Sequence, residues 1–249
     1  MFDDFGGDTV RLFLLLGMFL YLSTNAQTDK LDDMRLRVSE IKSAEEVDVA
    51  GASRLLDQYA ELHRISTLNW DAFSYLPTVQ FKMARHNNDI WLKFYVSEEN
   101  IRARYTEPNS STHKDSCVEF FIDPLQNGNY YNFEFNCIGT VHLAYGPDRH
   151  SRKFVDPEII TEGIKVKSTL GDQPFDERGG GHSWQLTVIV PADVFVFSEP
   201  VELQNLTCKA NFYKCGDDTS KKHFVSWSPI ATEHPDFHRP EYFGTLVFD

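Results

Sequence analysis

From Trp70 onward the sequence consists of short apolar or alternating runs separated by clusters of turn-forming residues. A period of two places alternate side chains on opposite faces of a strand, and Gly, Pro, Asn and Asp favour the turns between strands. The intervals between runs are too short for crossover helices. The runs lie at 78–85, 90–97, 116–123, 130–137, 159–168, 183–191, 206–214 and 244–249. They predict an all-β fold, an antiparallel, jelly-roll-like β-sandwich.

The chain ahead of these runs is predicted to form an extension and not a second domain. Residues 29–63 are charged and alanine-rich, and apolar residues at partly helical spacing within 44–62 predict one peripheral helix. A short strand is expected from Leu36 to Lys42. We therefore divide the chain into a signal peptide at 1–26, an N-terminal extension at 27–59 and a sandwich domain at 60–249.

The first 26 residues have the pattern of a secretory signal peptide. An apolar run from Leu12 to Leu22 follows Arg11 and precedes the small-residue segment STNAQ, which predicts cleavage after Ala26. The run is shorter than the roughly 20 residues that span a bilayer. The alternative is that the segment is not cleaved and remains as an N-terminal anchor. We expect a mature chain without a membrane span that is secreted, periplasmic or located at the cell surface.

The acidic charge of the chain restricts its partners. The formal net charge is −13 at pH 7, and so acidic a protein repels nucleic acid and anionic lipid. Neutral or cationic partners are favoured, and nucleic acid is not expected to be one of them.

Carboxylates are the first candidates for chemistry. Glu119 and Asp123 lie four positions apart in one run and share a face, and Glu134 joins them if the two runs pair. Two such groups can serve as general acid and base, so a glycan hydrolase or lyase that uses Glu119 and Glu134 is one alternative. A solvated acidic face is the simpler interpretation. No enzyme motif of high specificity occurs in the sequence. The three glycines at 179–181 have no strand–glycine–helix context and are expected to form a flexible turn.

Metal sites are weakly indicated. His234 and His238 flank Asp236 in a proline-bounded loop, where a four-residue spacing defines no helical face, so a zinc site is not expected. Oxygen-rich turns at 127–129 and 217–218 leave a structural calcium ion open, with capped turns as the default explanation.

Aromatic residues divide into candidates for the core and for the surface. Phe133 and Phe135 alternate with polar residues and are expected to point inward. Phe237, in contrast, lies between Pro235 and Pro240 in a stretch that cannot be a central strand. We predict that this loop presents Phe237 as a lid or a stacking surface. The tryptophans expected in the core or at strand ends are Trp91, Trp184 and Trp227.

Five segments, in order, carry a resemblance to a known family. They are KDSCVEFFIDP (114–124), YYNFEFNCIGT (130–140), the W-x-L-x-V-x-x-P pattern at 184–191, ANFYKCGD (210–217), and SWSP followed by FHRPEYFGTL within 226–246. In order and spacing they resemble the family 9 carbohydrate-binding module over about residues 60–249. The resemblance implies an antiparallel sandwich that binds the end of a sugar chain, with structural calcium in some members.

In that family the sugar is clamped between two aromatic side chains and hydrogen-bonded by polar groups of one sheet face. The resemblance implies that Phe237 is one clamp aromatic and that Glu119, Asn211 and Tyr213 face the ligand. Glu134 stands where the family can place an arginine.

This chain departs from the family at the first clamp position. No tryptophan precedes Asp115, and His113 is the ring that can replace it. The loss of one of two stacking partners should weaken sugar binding by roughly 1–2 kcal/mol. His238 and Arg239 are expected to add hydrogen-bond donors beside Phe237.

The four cysteines suit disulfides in an exported chain. Strand parity places Cys117 and Cys215 on the implied ligand face, and Cys137 and Cys208 on the inner face. Because only residues on the same side can come within bonding distance, we predict the pairs Cys117–Cys215 and Cys137–Cys208. Four buried, unbonded thiols are the alternative.

The expected function is non-catalytic carbohydrate binding by a secreted protein in polysaccharide utilisation. The hydrolase or lyase above is one alternative. Another is a haem-binding sandwich, which would need Met83 or His142 directed into an apolar cavity. No haem-specific spacing supports it. A purely structural interaction domain is the third alternative.

Overall fold

The computed structural model describes residues 34–44 and 46–249 of the chain. The predicted signal peptide at 1–26 lies outside the described residues. Within the described ranges the chain forms two β-sheets, which confirms the predicted all-β sandwich. No helix in these ranges is both long and apolar enough to cross a membrane.

Strands dominate the described part of the chain. In chain order the strands and α-helices are β1 (Arg35–Val38), α1 (Val49–Tyr59), β2 (Leu62–Arg64), β3 (Thr67–Leu68), β4 (Thr78–His86), β5 (Asp89–Ala103), β6 (Cys117–Asp123), β7 (Tyr130–Asn136), β8 (Val141–Gly146), β9 (Lys153–Phe154), α2 (Pro157–Gly163), β10 (Lys165–Ser168), β11 (Phe175–Pro191), β12 (Thr207–Cys215), β13 (Phe224–Ser226) and β14 (Gly244–Phe248). Short 3-10 helices occupy Thr112–Lys114, Ala192–Val194 and Pro240–Tyr242.

The two sheets differ in size. The larger has nine strands, in the order β1-β14-β12-β6-β7-β8-β9, with β13 pairing with both β12 and β3. The smaller has five strands in the order β10-β11-β5-β4-β2. Strand neighbours are antiparallel except β1 and β14, which pair in parallel. The extension therefore contributes an edge strand to the larger sheet. At this edge the pairing is parallel, which differs from the antiparallel pairing that was predicted.

Aromatic rings join the two sheets across the core. Phe212 of the larger sheet stacks on Phe81 of the smaller, with ring centroids 4.1 Å apart, and on its own neighbour Phe120 at 5.0 Å. Phe133 and Phe135 point into the same core, as the alternation predicts.

Helix α1 covers part of the outer face of the five-stranded sheet. Asp48 caps it by accepting a hydrogen bond from the backbone of its first turn. Its buried residue Leu56 belongs to the apolar cluster that contains Trp91. Trp184 and Trp227 lie in the main core instead. All three tryptophans are buried, as predicted.

A buried ion pair links the sheets. Lys214 of β12 and Glu98 of β5 are both fully buried, with Nζ and Oε2 2.8 Å apart. Trp184 donates a hydrogen bond to Glu98 Oε1 at 2.8 Å, and His223 Nε2 lies 2.8 Å from Lys214 Nζ. Burial and the nearby ammonium lower the pKa of His223 to about 2. A neutral His223 can therefore accept a hydrogen bond from Lys214.

Two local predictions are wrong. The run at 159–168 was expected to be a strand, but it contains most of α2 followed by β10. Asp156 caps this helix and Pro157 occupies its first turn, and both residues favour a helix start. The glycines at 179–181 were expected in a flexible turn, yet they lie inside β11. Register shifts against β5 accommodate them there, with Gly180 and Gly181 at positive φ.

Candidate functional site

Three adjacent strands bring polar side chains together on the outer face of the nine-stranded sheet. Glu119 of β6 lies opposite Glu134 of β7 and opposite Tyr213 of β12. The strand pairing required for the two carboxylates to meet is thus present. Both are only 3% exposed. The interpretation as a solvated acidic face is therefore wrong, because loops fold over this part of the sheet.

The two carboxylates line a small cavity, here called the site cavity. Its volume is about 130 Å³, similar to a cavity of about 150 Å³ that can hold a benzene ring. Space for one six-membered ring follows from this size. The lining residues include His113, Glu119, Glu134, Arg149, Arg152 and Phe237.

Glu134 is held as an anion by its neighbours. Thr112 Oγ1 donates to its Oε2 at 2.9 Å, and Asn132 Nδ2 donates to its Oε1 at 3.0 Å. His113 Nδ1 lies 3.5 Å from Oε2, and His142 Nε2 lies 3.8 Å from Oε1. Burial alone would raise the pKa of Glu134, but the two histidines and the Thr112 hydrogen bond outweigh burial and lower it.

Glu119 has the opposite electrostatic environment. Burial, followed by repulsion from Glu134, raises its pKa well above the usual value. A hydrogen bond from the Cys215 thiol, with Sγ 3.0 Å from Oε1, acts against that rise. The two facing carboxylates therefore titrate far apart, and Glu134 ionises first.

His113, the ring predicted to replace the missing clamp aromatic, lines the site cavity. Its hydrogen bond with Glu134 raises the pKa of the imidazole, against the effect of burial. The side chain is 39% exposed. The ring is thus available at the cavity edge, although Glu134 restrains its orientation.

Phe237 lines the cavity, but its ring is not presented to solvent. It is 7% exposed and stacks on Tyr213, with centroids 4.1 Å and planes 11° apart. Trp70 and Phe224 approach it at 6.1 and 6.0 Å. The prediction of an exposed stacking ring is wrong, because aromatic neighbours from separate segments pack around it. Tyr213 is fully buried beneath it.

Trp70 is a residue whose role sequence reasoning missed. Its indole Nε1 donates to the carbonyl oxygen of Thr232 at 2.9 Å, and Tyr242 donates its hydroxyl to Ala231 O at 3.0 Å. Both bonds fasten the segment 231–242 that carries Phe237. Nothing in the sequence around Trp70 marks it as the anchor of a loop more than 150 residues away.

Three predicted ligand residues, Asn211, Tyr213 and Arg239, lie outside the cavity lining, and Tyr213 is buried beneath Phe237. Asn211 exchanges hydrogen bonds with the backbone of Ser228, at 2.9 Å to its nitrogen and 3.2 Å to its oxygen. It therefore holds the chain after β13. Arg239 forms an exposed ion pair with Glu241 and borders a neighbouring open groove.

His238 and two arginines complete the wall. His238 Nδ1 lies 2.8 Å from the Tyr130 hydroxyl, and burial, with Arg152 nearby, lowers its pKa to about 3. Arg152 donates to Asn132 Oδ1 at 3.0 Å. Arg149 and Arg152 were not predicted as site residues. Their only signal was a basic pair within the turn DRHSR of an otherwise acidic chain.

The structure contains neither predicted disulfide, and all four cysteines are buried free thiols. Cys137 directly follows Asn136, which pairs with Cys117 at one end of β6. Cys208 directly precedes Lys209, which pairs with Asp123 at the other end of β6. At about 3.3 Å per residue these ends lie roughly 20 Å apart, so the pair Cys137–Cys208 is wrong. Cys117 and Cys215 do face each other in register, but without a bond between them.

Asp123 and the two oxygen-rich turns form hydrogen bonds that hold the backbone of the turns. Asp123 accepts hydrogen bonds from the backbone nitrogens of Asn127 and Gly128, at 3.2 and 2.7 Å, and so caps the turn at 127–129. In the second oxygen-rich turn, the Asp217 nitrogen donates to the carbonyl oxygen of His113 at 3.1 Å.

The two candidate haem ligands lie on different sides of the larger sheet. Met83 packs in the core between the sheets, and His142 lies beside Glu134 on the outer face. Neither residue lines the site cavity.

Comparisons with known proteins agree with this architecture. A protein from Bacteroides uniformis ATCC 8492 that is described as carbohydrate-binding is 36% identical, with a TM-score of 0.82 over 86% of this chain and 99% of its own. Two structures of a family 9 carbohydrate-binding module from Caldicellulosiruptor kristjanssonii share the fold at 13% identity. The complex with glucose has a TM-score of 0.55, and the complex with cellotriose has a TM-score of 0.54. They cover 86% of this chain, and 95% and 93% of their own.

Among curated proteins, none matches this sequence. The family model for carbohydrate-binding family 9, in contrast, matches residues 51–248. This match extends over most of the described structure and includes every residue that lines the site cavity. The chain therefore belongs to carbohydrate-binding family 9.

Proposed function

We propose that the protein binds the end of a saccharide chain in the site cavity without cleaving it. The observation that carries this proposal is the pair of facing, buried carboxylates, Glu119 and Glu134, in a cavity the size of one ring. Planar polar groups can fork onto neighbouring sugar hydroxyls, and arginine and histidine supply donors around them. A terminal sugar fits such a closed space better than the middle of a chain does.

The aromatic contribution differs from a two-sided clamp. Phe237 and Phe224 offer ring surface at the wall of the cavity, and His113 offers a smaller ring at its edge. With one stacking partner reduced, polar contacts carry a larger share of the affinity. We expect weak binding of a single sugar that depends strongly on the carboxylates.

A glycan hydrolase is the second candidate, because two carboxylates face one cavity, an arrangement that glycoside hydrolysis also uses. Against it, both oxygens of Glu134 already have hydrogen-bonding partners in Thr112 and Asn132. A carboxylate held in this way is poorly placed to attack an anomeric carbon or to activate water. Binding is therefore the function that the geometry favours.

The cellular role is part of the same proposal. A leader that resembles a signal peptide would place the protein in the periplasm, at the cell surface or outside the cell, where polysaccharide fragments are met. Such a protein would serve polysaccharide utilisation by capturing chain ends. The charge of −13 suits a neutral glycan better than an anionic one.

The test is a glycan array on the mature chain followed by calorimetry, with glucose and cellotriose as the first soluble probes. Glu134→Gln should weaken binding about 10–100-fold, because hydrogen bonds to a charged group contribute about 1.5–3 kcal/mol. Glu199→Gln, at an exposed carboxylate outside the cavity lining, is the control. Unchanged affinity in folded Glu134→Gln would remove the site cavity from the binding site, and turnover of a bound glycan would favour the hydrolase.

A further inference from the structure

The cavity floor also holds three potential metal ligands. Cys117 and Cys215 face each other across β6 and β12, and Glu119 follows Cys117 by two residues on the same face. The two Sγ atoms and a carboxylate oxygen of Glu119 all lie within 4.8 Å of one another. All three residues are buried. Two paired strands, and not a mobile loop, fix their backbones.

We propose that Cys117, Cys215 and Glu119 bind one thiophilic divalent cation of the zinc type through two sulfurs and one carboxylate oxygen. The fourth coordination position faces the site cavity. This site shares Glu119 with the proposed sugar-binding cavity, but it does not rest on sugar binding, because the two thiolates and the carboxylate can hold an ion whether or not a sugar is bound.

The distances suit such an ion after small side-chain shifts. Zinc binds sulfur at about 2.3 Å and carboxylate oxygen at about 2.0–2.2 Å, so tetrahedral ligands lie roughly 3.3–3.8 Å apart. The donors at Cys117, Cys215 and Glu119 already approach this spacing, within 4.8 Å. Rotation about the side-chain bonds can supply the remaining distance, since the strands need not move.

The present hydrogen bonds show what the ion would replace. The Cys215 thiol donates to Glu119 Oε1 at 3.0 Å, and the Cys117 thiol approaches the carbonyl oxygen of Val118 at 3.6 Å. On binding, the ion takes up two thiolates and one carboxylate, and each proton that the ligands carried passes to the solvent. Two thiolates also favour zinc over calcium or magnesium, which prefer oxygen.

The surroundings leave one side of the site open. Cys215 and Glu119 line the site cavity, and Cys117 does not. A bound ion would therefore be reached from the cavity, and its fourth ligand would come from there. Three protein ligands with one open position are typical of zinc sites that bind water or a further molecule. Glu134 and Asp217 also lie near these groups, and their negative charge favours a cation.

The test uses the mature chain, reduced and stripped with a chelator, and Co²⁺ followed by Zn²⁺ as probes. We expect one ion per chain, a thiolate-to-cobalt charge-transfer band, and loss of that band when Zn²⁺ displaces Co²⁺. The double variant Cys117→Ala and Cys215→Ala should abolish the band. Glu119→Gln should weaken binding at least tenfold.

Cys208→Ala is the matched control, because it removes a fully buried thiol from the inner side of the same sheet. It should leave the Co²⁺ band and the one-to-one stoichiometry unchanged. Circular dichroism of each variant establishes that it is folded. A reduced wild-type chain without the band, or a band that persists in the folded double variant, would overturn the proposal. A Cys117–Cys215 disulfide whose reduction yields no Co²⁺ binding would do the same.

Discussion

Phe237 lies nearly parallel to Tyr213, and the Tyr213 hydroxyl donates a hydrogen bond to the Phe237 carbonyl oxygen at 3.0 Å. Both the ring and the backbone of Phe237 are thus fixed by one buried residue of β12. The aromatic side chain assigned to sugar stacking by family resemblance therefore also holds in place the segment that walls the site cavity.

The first prediction concerns the packing of Phe237 on Tyr213. Phe237→Ala should lower the free energy of unfolding by about 3 kcal/mol, because it leaves a void over Tyr213. Urea denaturation measures this change. Phe154→Ala removes a ring that is 55% exposed and should cost less than about 1 kcal/mol. Equal losses in the two variants would contradict the packing role of Phe237.

The second prediction compares the two facing carboxylates. Glu134→Gln should destabilise the protein by about 2 kcal/mol, because Thr112 and His113 lose a charged partner. Glu119→Gln loses only the partner of the Cys215 thiol, so we expect a change below about 1 kcal/mol in metal-free protein. Thermal unfolding of both variants gives the comparison, and a reversed order would show that the contacts of Glu134 do not stabilise the fold.

The third prediction concerns the ion pair inside the core. Lys214→Met leaves Glu98 buried without its cation, which should cost about 3–5 kcal/mol. The pair Lys221–Glu99 is half exposed, with its atoms 3.3 Å apart, and Lys221→Met should cost less than about 1 kcal/mol. Guanidinium denaturation measures both. A small loss in Lys214→Met would mean that water or a side-chain shift compensates Glu98.

The fourth prediction is a loss of stability in mild acid. The folded-state pKa values of His223 and His238, about 2 and about 3, lie well below the ordinary value near 6.5. Below pH 6.5 the unfolded chain therefore binds more protons, and the free energy of unfolding falls as the pH falls. At pH 5 each histidine can account for a loss of about 2 kcal/mol.

Melting temperatures between pH 7.5 and pH 4.5 test this. A folded His238→Asn variant should show a shallower acid slope than the wild type. His234→Asn, at a side chain that is 86% exposed, should leave the slope unchanged. A wild-type melting temperature that stays constant down to pH 5 would contradict the prediction.

Much of the fold could be read from the sequence because strand alternation reports burial directly. The parity that placed Phe133 inward and Glu134 outward holds in the structure, as does the pairing of Glu134 with Glu119. The failures come from longer-range effects. The short helix at 157–163 depends on the capping residue Asp156 and on Pro157, whereas the apolar pattern of the run at 159–168 favours a strand.

The site was harder to predict because the alternation of residues along a strand shows which face of the sheet a side chain occupies, but not how far that side chain lies from another one. Parity correctly placed Cys137 and Cys208 on the inner side, but it could not show that they lie at opposite ends of the sheet. It also could not show that Trp70 and Tyr213 would bury Phe237, since those contacts join segments far apart in the chain. The placement of loops over a sheet face has no periodic signal.

The parallel pairing of β1 with β14 makes the last strand of the chain a bridge, because β14 lies between β1 and β12. Residues near the two ends of the described chain are consequently hydrogen-bonded neighbours. During synthesis the larger sheet stays incomplete until residues 244–248 have emerged from the ribosome. Removal of residues 244–249 would delete β14, and β1 would then have no neighbouring strand in the larger sheet with which to pair.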